Sequence, residues 1–224
     1  SPGNRPLEVV VLGLSHHKAT VDVREKLAIP EEKWNEAAAS LCEFPQISEA
    51  AVLSTCNRFE VYLAGENAYE SIRAATQFFQ DRGNLDQTIL RENLFMLSGE
   101  DAIWHLLRVS AGLDSLVVGE GQILSQVKRA FEHGEEEDGM SGKVISRMLN
   151  TAVSAGKRVR SETGISRGAV SISSAAAEFS AMKVKDTCAI EKMEDANITI
   201  IGAGKMARLL LVHLQTQGVK KVTI

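Results

Sequence analysis

Runs and alternations of apolar residues predict three strands in the first third of the chain. Residues 7–14 and residues 50–53 are apolar runs that indicate buried strands. Between residues 59 and 63, apolar side chains alternate with Glu60 and Tyr62, which predicts a strand with one apolar and one polar face. Because helical patterns separate and follow these strands, we expect an α+β domain.

Helical periodicity accounts for much of the remaining chain. After Pro30, apolar residues recur at i, i+3, i+4, i+7 and i+8, which predicts a helix with one buried stripe. Residues 145–152 show a similar pattern. The first stripe consists of Trp34, Ala37, Ala38, Leu41 and Cys42. Cys42 is therefore interpreted as a small core residue.

A strand, a glycine motif, a helix and a further strand follow one another at the end of the sequence. Residues 197–201 form an apolar run, the next helix stops at Gly218, and residues 219–224 begin a strand. This order predicts the start of a Rossmann-type α/β domain over residues 165–224, after a first domain over residues 1–164. Two parallel strands and one helix do not bury a core by themselves, so we expect this end to be poorly ordered or to need a partner.

Composition and charge narrow the possible function classes. A net charge of −4 argues against a dedicated nucleic-acid coat but is compatible with a local basic patch. No apolar run reaches the length of a membrane span, and the polar first residues predict that no targeting segment is attached. The three cysteines are widely spaced and fit no zinc pattern, so we expect a reducing compartment, no disulfide framework and no structural metal.

The glycine motif, G-x-G-x-x-A, is typical of dinucleotide binding when it joins a strand to a helix. Gly202 makes the tight turn, Gly204 lets the backbone approach a pyrophosphate, and Ala207 permits close packing of the helix on the strand. The alternative is a strand–turn–helix that merely needs glycines. The residue that separates NAD from NADP falls at or beyond Ile224, so the motif leaves that choice open. The predicted cofactor-binding residues are Gly202, Ala203, Gly204, Lys205, Met206 and Ala207.

Cys56 is a candidate nucleophile because it lies in a polar break between two predicted strands. If the backbone there is extended, Cys56 projects from the same face as Arg58 and Glu60. A nearby guanidinium favours the thiolate, which is the reactive form of cysteine. A buried, inert cysteine is the alternative, and the spacing alone does not decide between the two.

Other polar residues have both a functional and a structural interpretation. His105 lies away from the apolar side that Ile103, Leu106 and Leu107 form on a predicted helix, so it faces either solvent or a cleft. An acidic run at residues 135–138 is interpreted as a solvated loop rather than a metal site. A group of cations suits either phosphate groups or a solvated helix end. Its members are Lys157, Arg158, Arg160 and Arg167.

Together these motifs resemble the glutamyl-tRNA reductase family, which starts the five-carbon route to tetrapyrroles. Residues 13–16 and 24–25 look like its N-terminal signature, and the S-T-C-N-R sequence at residues 54–58 matches its nucleophile motif. Residues 105–126 match its longest signature, and residues 160–177 and the glycine motif follow in the family's order. Several motifs in the correct order are more specific than any one of them.

The resemblance implies roles for individual residues. Cys56 would attack the aminoacyl ester to form a thioester, and hydride from NADPH would give glutamate-1-semialdehyde. His105 matches a histidine that is important for activity. The implied substrate-binding residues are Thr55, Asn57, Arg58, Ser115, Glu120, Gly121, Gln122 and Gln126.

Departures from the family pattern bear on the source and on the extent of the chain. Thr20 replaces a common proline, and Gly121 stands where bacterial members often have Pro or Asp, which resembles plant enzymes. The resemblance thus implies the chloroplast stroma, with the bacterial cytoplasm as the alternative. Family members also have a complete nucleotide domain, a long helix and a dimerisation domain. We therefore expect a chain truncated within its NADPH-binding domain, a homodimer for the full-length protein and, in plants, regulatory protein partners.

Two other function classes stay open beside the reductase. One is a thiol-dependent hydrolase of aminoacyl or other esters, and the other is a non-enzymatic module that binds tRNA or regulates another protein. The glycine motif favours the reductase over the hydrolase, and the polar setting of Cys56 disfavours the module.

Overall fold

The structure is a computed structural model that describes residues 6–167 and 171–224. The chain divides into two compact units, and each is described by itself. The first contains the residues up to Leu116 together with Gln122–Thr163, and the second contains Val117–Gly121 and Gly164–Ile224. Residues 168–170, within the family signature at 160–177, and the polar first five residues lie outside the described ranges.

The first unit is built on an antiparallel sheet of four strands: β1 (Glu8–Ser15), β2 (Glu49–Ser54), β3 (Arg58–Gly65) and β4 (Phe95–Ser98). Their order across the sheet is β2-β3-β1-β4. β1 and β3 pair over their full length, and Ser15 at the end of β1 lies opposite Arg58 at the start of β3. This register brings the turn after β1 next to the bend that contains Cys56.

The second face of β3 is buried, although its sequence predicts a polar face. All eight residues of β3 are buried, and both Glu60 and Tyr62 are 0% exposed. Phe59 packs against Phe79 of a helix on one side of the sheet, with ring centroids 5.1 Å apart. Glu60 faces His105 of another helix. A helix lies near each face, so polar residues on this strand must find partners inside the protein.

Seven helices of the first unit pack around the sheet: α1 (Val21–Leu27), α2 (Trp34–Cys42), α3 (Ala68–Gly83), α4 (Gln87–Asn93), α5 (Glu100–Ser110), α6 (Gln122–Gly134) and α7 (Lys143–Glu162). A 3₁₀ turn, Glu31–Lys33, precedes α2. The predicted stripe of α2 is confirmed, because its first four members are buried and Cys42 is half-buried. The pattern predicted at residues 145–152 is confirmed as the buried face of α7.

A buried carboxylate joins β2 to the start of α7. Glu49 Oε2 accepts hydrogen bonds from the backbone N–H groups of Val144 (3.0 Å) and Ile145 (2.8 Å). The first N–H groups of a helix have no partner within the helix, and negative charge is stabilised there. Glu49 therefore fixes where α7 begins relative to the sheet.

The second unit contains α8 (Ile172–Cys188), β5 (Asn197–Thr199), α9 (Lys205–Thr216) and β6 (Lys221–Thr223). β5 and β6 pair in parallel, as expected for the start of a Rossmann-type domain. Ala177 of α8, Met193, Leu214 of α9 and Val219 form a small buried core. Two strands and one helix were not expected to bury a core by themselves. Helix α8 adds the apolar surface that completes one, so this end of the chain has a core of its own.

The strand predicted as buried over residues 197–201 is shorter and more exposed than expected. Asn197 and Thr199 of β5 are exposed, and Ile201, which follows the strand, is 99% exposed. A parallel strand becomes buried only when further strands and helices cover it, and within the described ranges β6 is its one paired neighbour. In the described ranges, no helix has the length and apolar character that a bilayer crossing requires.

Candidate active site

Cys56 is exposed in a tight bend between β2 and β3. Thr55 closes this bend: its N–H donates to Arg58 O at 2.8 Å, and its Oγ1 accepts from the N–H groups of Asn57 and Arg58, both at 3.2 Å. A hydroxyl that satisfies nearby backbone N–H groups stabilises a turn. The extended backbone considered for Cys56 is therefore wrong, although Arg58 and Glu60 do share one face of β3.

The three cysteines lie in different environments. Cys42 is half-buried, and burial together with Glu49 raises the pKa of its thiol to about 11. Cys188 is exposed at the end of α8. Exposure thus separates Cys56 from Cys42 but not from Cys188, and Cys56 differs from Cys188 in lying in a bend that Thr55 closes by hydrogen bonds.

The N-terminal signature contributes His16 and Arg24 to the surroundings of Cys56. The backbone N–H of His16 donates to the backbone O of Asn57 at 2.9 Å, and Arg24 Nη2 donates to the backbone O of Cys56 at 3.5 Å. Burial, assisted by the adjacent His17, lowers the pKa of His16. At neutral pH its imidazole is therefore uncharged and able to accept a proton. The signature was predicted as a motif, and the register of β1 on β3 explains why it lies at this bend.

Arg58 is buried between two carboxylates, with only 1% of its side chain exposed. Nη1 donates to Glu60 Oε1 at 2.6 Å, and Nη2 donates to both Oδ2 (2.9 Å) and the backbone O (2.8 Å) of Asp114. Burial opposes the charge of Arg58, but Glu60, Tyr62 and Asp114 together outweigh it and raise the pKa of the guanidinium above its ordinary value. Both terminal nitrogens of Arg58 are thus already engaged within the protein.

Glu60 is the centre of the buried polar network. Besides Arg58, it accepts a short hydrogen bond from the Tyr62 hydroxyl, and its Oε1 lies 3.0 Å from His105 Nε2. Burial disfavours the carboxylate, yet Arg58 and the two hydrogen-bond partners lower the pKa of Glu60 to about 2. Burial, reinforced by Glu60, raises the pKa of Tyr62, which keeps its hydroxyl protonated as a donor. The network is therefore ionised and hydrogen-bonded at neutral pH.

His105 faces the protein interior rather than solvent. Its side chain is 14% exposed, its ring lies 4.9 Å from that of Phe95, and Nε2 meets Glu60. The apolar side predicted for this helix is wrong in part, because Ile103 is 40% exposed. The buried face of α5 is formed instead by Ala102, Leu106, Val109 and Ser110. Ala102, His105 and Val109 are spaced by three and four residues, so His105 borders that face.

Asp114 and His17 extend the network towards solvent, and sequence reasoning missed both. Asp114 Oδ1 lies 3.4 Å from His17 Nε2, while its Oδ2 accepts from Arg58. Ser115, a predicted substrate-binding residue, follows Asp114 and is buried. The position of Asp114 next to Ser115, inside the longest signature, was the available signal in the sequence.

The remaining predicted substrate-binding residues are not all brought together. Gln122 begins α6 and is exposed, and Gln126 lies one turn later and is half-buried. Glu120 and Gly121 belong to the short segment that groups with the second unit. The structure thus assembles Thr55, Asn57, Arg58, His105 and Ser115 on or beside the sheet of the first unit.

The predicted cofactor-binding residues form an open turn at the start of α9. Gly202 has a φ of +110°, a conformation that favours glycine, and Gly204 is the residue immediately before the helix. A Cβ atom added to either glycine would have no other atom within 4 Å. A cavity of about 400 Å³ in the second unit is lined by Gly202, Gly204 and Ala207 among others. The turn therefore has room for a group that approaches the backbone closely.

The acidic run and the cationic group are partly engaged within the protein. Asn35 Nδ2 donates to Glu136 Oε2 (3.1 Å) and Asp138 Oδ1 (2.8 Å), so the run at residues 135–138 is anchored to α2 rather than only solvated. Arg158 pairs with Glu162 at 3.0 Å along α7. Among the described residues, no three His, Cys, Asp or Glu side chains form a group that could hold a metal ion.

Comparison with known proteins places these features in a family. The model of the glutamyl-tRNA(Glu) reductase N-terminal domain matches residues 12–163, and that of shikimate/quinate 5-dehydrogenase matches residues 184–224. Glutamyl-tRNA reductases from Cyanophora paradoxa and from Picosynechococcus are 52% and 51% identical to this chain over 218 residues. Each alignment covers 97% of this chain and, respectively, 49% and 50% of the relative.

A solved structure is similar as well. The glutamyl-tRNA reductase from Methanopyrus kandleri superposes with a TM-score of 0.62 at 31% identity, covering 96% of this chain and 48% of that one. The chain thus spans about half the length of the relatives it matches. Because the family model covers more than half of the chain, including the Cys56 bend and the Arg58 network, the chain belongs to the glutamyl-tRNA reductase family, whose N-terminal domain it contains.

Proposed function

We propose that this chain carries the acyl-transfer site of an NADPH-dependent reduction of glutamyl-tRNA(Glu) to glutamate-1-semialdehyde, the first committed step of tetrapyrrole biosynthesis. The observation that supports this most is the exposed Cys56, held in a hydrogen-bonded bend beside a buried ionic network, in a chain of this family. In this proposal residues 1–164 form the catalytic domain, and residues 165–224 begin the cofactor domain.

Cys56 would act as the nucleophile. Its thiolate sulfur attacks the ester carbonyl carbon, the bond to the ribose oxygen breaks, and the tRNA hydroxyl leaves with a proton. The product is a thioester, whose carbonyl is more electrophilic than that of the ester, so covalent catalysis divides one difficult step into two. His16 is the proposed proton acceptor for the thiol, because its backbone N–H is hydrogen-bonded to Asn57 in the bend and the pKa of its imidazole is lowered.

His105 and the residues around Arg58 would orient the glutamyl group. His105 is held by Glu60 at 3.0 Å, so its ring has a defined direction without depending on the substrate. Thr55 and Asn57 flank Cys56, and Ser115 follows Asp114 in the same network. Glu120, Gly121, Gln122 and Gln126 are proposed as further substrate contacts on the strength of the family motif.

Arg58 is proposed to favour glutamate over uncharged aminoacyl groups through its positive charge. In this proposal the glutamyl carboxylate takes the place of one of the two carboxylates that hold the terminal nitrogens of Arg58, and lysine does not reproduce the planar donor geometry of a guanidinium. We expect Arg58→Lys to reduce the preference for glutamyl-tRNA over glutaminyl-tRNA by about 10-fold to 100-fold, which corresponds to about 1.5–3 kcal/mol. Single-turnover acylation with both substrates measures this preference, and an unchanged ratio would remove this role from Arg58.

The glycine turn fits a dinucleotide pyrophosphate. Gly202 and Gly204 leave its approach open, and the N-terminal N–H groups of α9 suit a phosphate. The residues proposed to hold NADPH are those from Gly202 to Ala207, both included. NADPH, when bound, supplies the hydride that converts the thioester to the aldehyde. NADPH rather than NADH is proposed because of the resemblance to the family.

Partners and location belong to the proposal as well. Glutamyl-tRNA(Glu) is the proposed substrate, and the full-length protein is proposed to be a homodimer with regulatory protein partners in plants. The chloroplast stroma is the proposed compartment, with the bacterial cytoplasm as the alternative. The cyanobacterial and Cyanophora relatives are compatible with either one.

The test uses this 224-residue chain with glutamyl-tRNA, with and without NADPH, and assays free glutamate and aldehyde separately. We expect slow release of glutamate and no aldehyde, because acylation needs residues before about 165 whereas the nucleotide domain has two strands here. Aldehyde would mean that the cofactor site is complete. Bound tRNA without any cleavage would favour the binding module, and cleavage by a full-length protein that never yields aldehyde would favour the thiol hydrolase.

A further inference from the structure

Asp114 is the carboxylate of the Arg58 network that reaches solvent. Its side chain is 17% exposed, whereas that of Glu60 is 0% exposed. Oδ2 accepts from Arg58 Nη2 at 2.9 Å, and Oδ1 points to His17, whose side chain is 54% exposed. One oxygen of Asp114 is therefore held inside the protein, while the other lies at its surface.

The charges of Arg58, Glu60 and Asp114 do not cancel one another. Arg58 contributes one positive charge, and Glu60 and Asp114 contribute one negative charge each. Glu60 is enclosed by Arg58, Tyr62 and His105, and its pKa of about 2 keeps it ionised. Of the two carboxylates, Asp114 is therefore the one that a cation from solvent can reach.

Asp114 is linked to the nucleophile bend from two directions. Through Oδ2 it holds Arg58, two residues after Cys56. Through Oδ1 it meets His17, whose ring lies 4.0 Å from that of His16, and His16 in turn is hydrogen-bonded to Asn57. Asp114 is therefore connected to the Cys56 bend both through Arg58 and through the His16–His17 pair.

We propose that Asp114 forms a subsite for the free α-ammonium group of the aminoacyl ester, an inference that rests on the proposed acylation of Cys56. The carbon that Cys56 attacks is bonded to the α-carbon, which carries the ammonium. Any aminoacyl-tRNA therefore brings a positive charge within two bonds of the reacting atom. A partly exposed carboxylate is the group that would bind it by charge-assisted hydrogen bonds.

This subsite separates two kinds of recognition. The ammonium subsite distinguishes a free aminoacyl group from one whose amine is acylated, as in a peptidyl ester, and it does so for every amino acid. Selection of glutamate by its side-chain carboxylate is a different property, proposed above for Arg58. In this inference Arg58 also positions Asp114, because Nη2 holds both its Oδ2 and its backbone O.

Binding of an uncleavable substrate analogue tests the subsite independently of catalysis. The probes are adenosine with glutamate joined to its 3′ position by an amide, and the same compound N-acetylated, measured by calorimetry with this chain. We expect the free amine to bind about 10-fold to 100-fold more tightly, as for a charge-assisted contact. Asp114→Asn, whose amide oxygen still accepts from Arg58, should abolish the difference by weakening only the free amine. Asp114→Glu should restore part of it.

The control variant is Asp81→Asn, which removes an equal charge from an exposed position bonded to Gln77 on α3. It should keep the wild-type difference between the probes. The inference is overturned if wild type binds both probes equally or neither, or if Asp114→Asn weakens both to the same extent. Acylation of Cys56 by glutamyl-tRNA is measured in parallel. If wild type shows no preference for the free amine while Cys56 is still acylated, the subsite is refuted and the proposed function stands.

Discussion

The Cys56 bend and the Gly202 turn both follow a strand, yet they are held in opposite ways. The Cys56 bend is closed by Thr55 and lies beside a buried network with paired charges. Around Gly202 and Gly204 no other atom approaches an added Cβ within 4 Å. A reacting thiol gains from fixed surroundings because the geometry of attack is demanding. A phosphate-binding turn needs free N–H groups and open space.

The largest effect should come from removing the nucleophile. Cys56→Ser should lower the rate of acylation by glutamyl-tRNA about 10⁴-fold or more, because a hydroxyl without an adapted base is a much weaker nucleophile. Single-turnover assays measure the rate, and Cys42→Ser and Cys188→Ser are the matched controls. Comparable loss in either control, or normal turnover in Cys56→Ser, would contradict the role of Cys56.

The next largest effect should come from breaking the buried network. Glu60→Ala leaves Arg58 without one carboxylate and removes the partner of Tyr62 and His105, so we expect a loss of about 3–5 kcal/mol in the free energy of unfolding. Urea unfolding of the chain measures it. Glu132→Ala is the control, since that carboxylate is on the surface of α6 and pairs only with Lys128 in the described ranges. A loss below about 1 kcal/mol for Glu60→Ala would show that the network contributes little.

Lowering the pH should weaken the same network gradually. The pKa of Glu60 is lowered from 4.5 to about 2 in the folded protein, so its stabilisation is present above pH 4.5 and is lost as the pH falls towards 2. Between those values wild type should lose stability more steeply than Glu60→Gln, whose amide does not titrate. Urea unfolding at several pH values compares the two slopes, and equal slopes would mean that Glu60 has an ordinary pKa in the fold.

The smallest effects are expected at the glycine turn. Gly202→Ala should cost about 1–3 kcal/mol of local stability because its φ of +110° is unfavourable for alanine. Gly204 has a φ of −73°, which alanine also adopts, and open space around an added Cβ. Gly204→Ala should therefore change the local stability by less than about 0.5 kcal/mol. Hydrogen exchange of the second unit measures both. Gly204→Ala should nevertheless weaken NADPH binding, and unchanged binding by fluorescence titration would argue against a pyrophosphate at this turn.

Local sequence patterns were sufficient for the elements and motifs. The stripe from Trp34 to Leu41 predicts α2 because helical spacing and burial agree there. The glycine motif lies between β5 and α9 as its spacing predicts. Cys56 was identified from its polar neighbours in a break between strands, and the bend that presents it is exposed. In each case neighbours along the chain determine the outcome.

Contacts between distant parts of the chain were decided only by the tertiary structure. Glu60 looked like part of an exposed polar face, but the helix carrying His105 covers that face, and Arg58 is 56 residues away from its partner Asp114. A periodic pattern cannot distinguish a polar residue facing water from one facing a buried partner, because both occupy the same position in the repeat. The sequence by itself determined the family, most of the strands and helices, and the choice of Cys56 as the candidate nucleophile. The packing of α5 and of the Asp114 turn against β3 determined how the charges beside that nucleophile are paired.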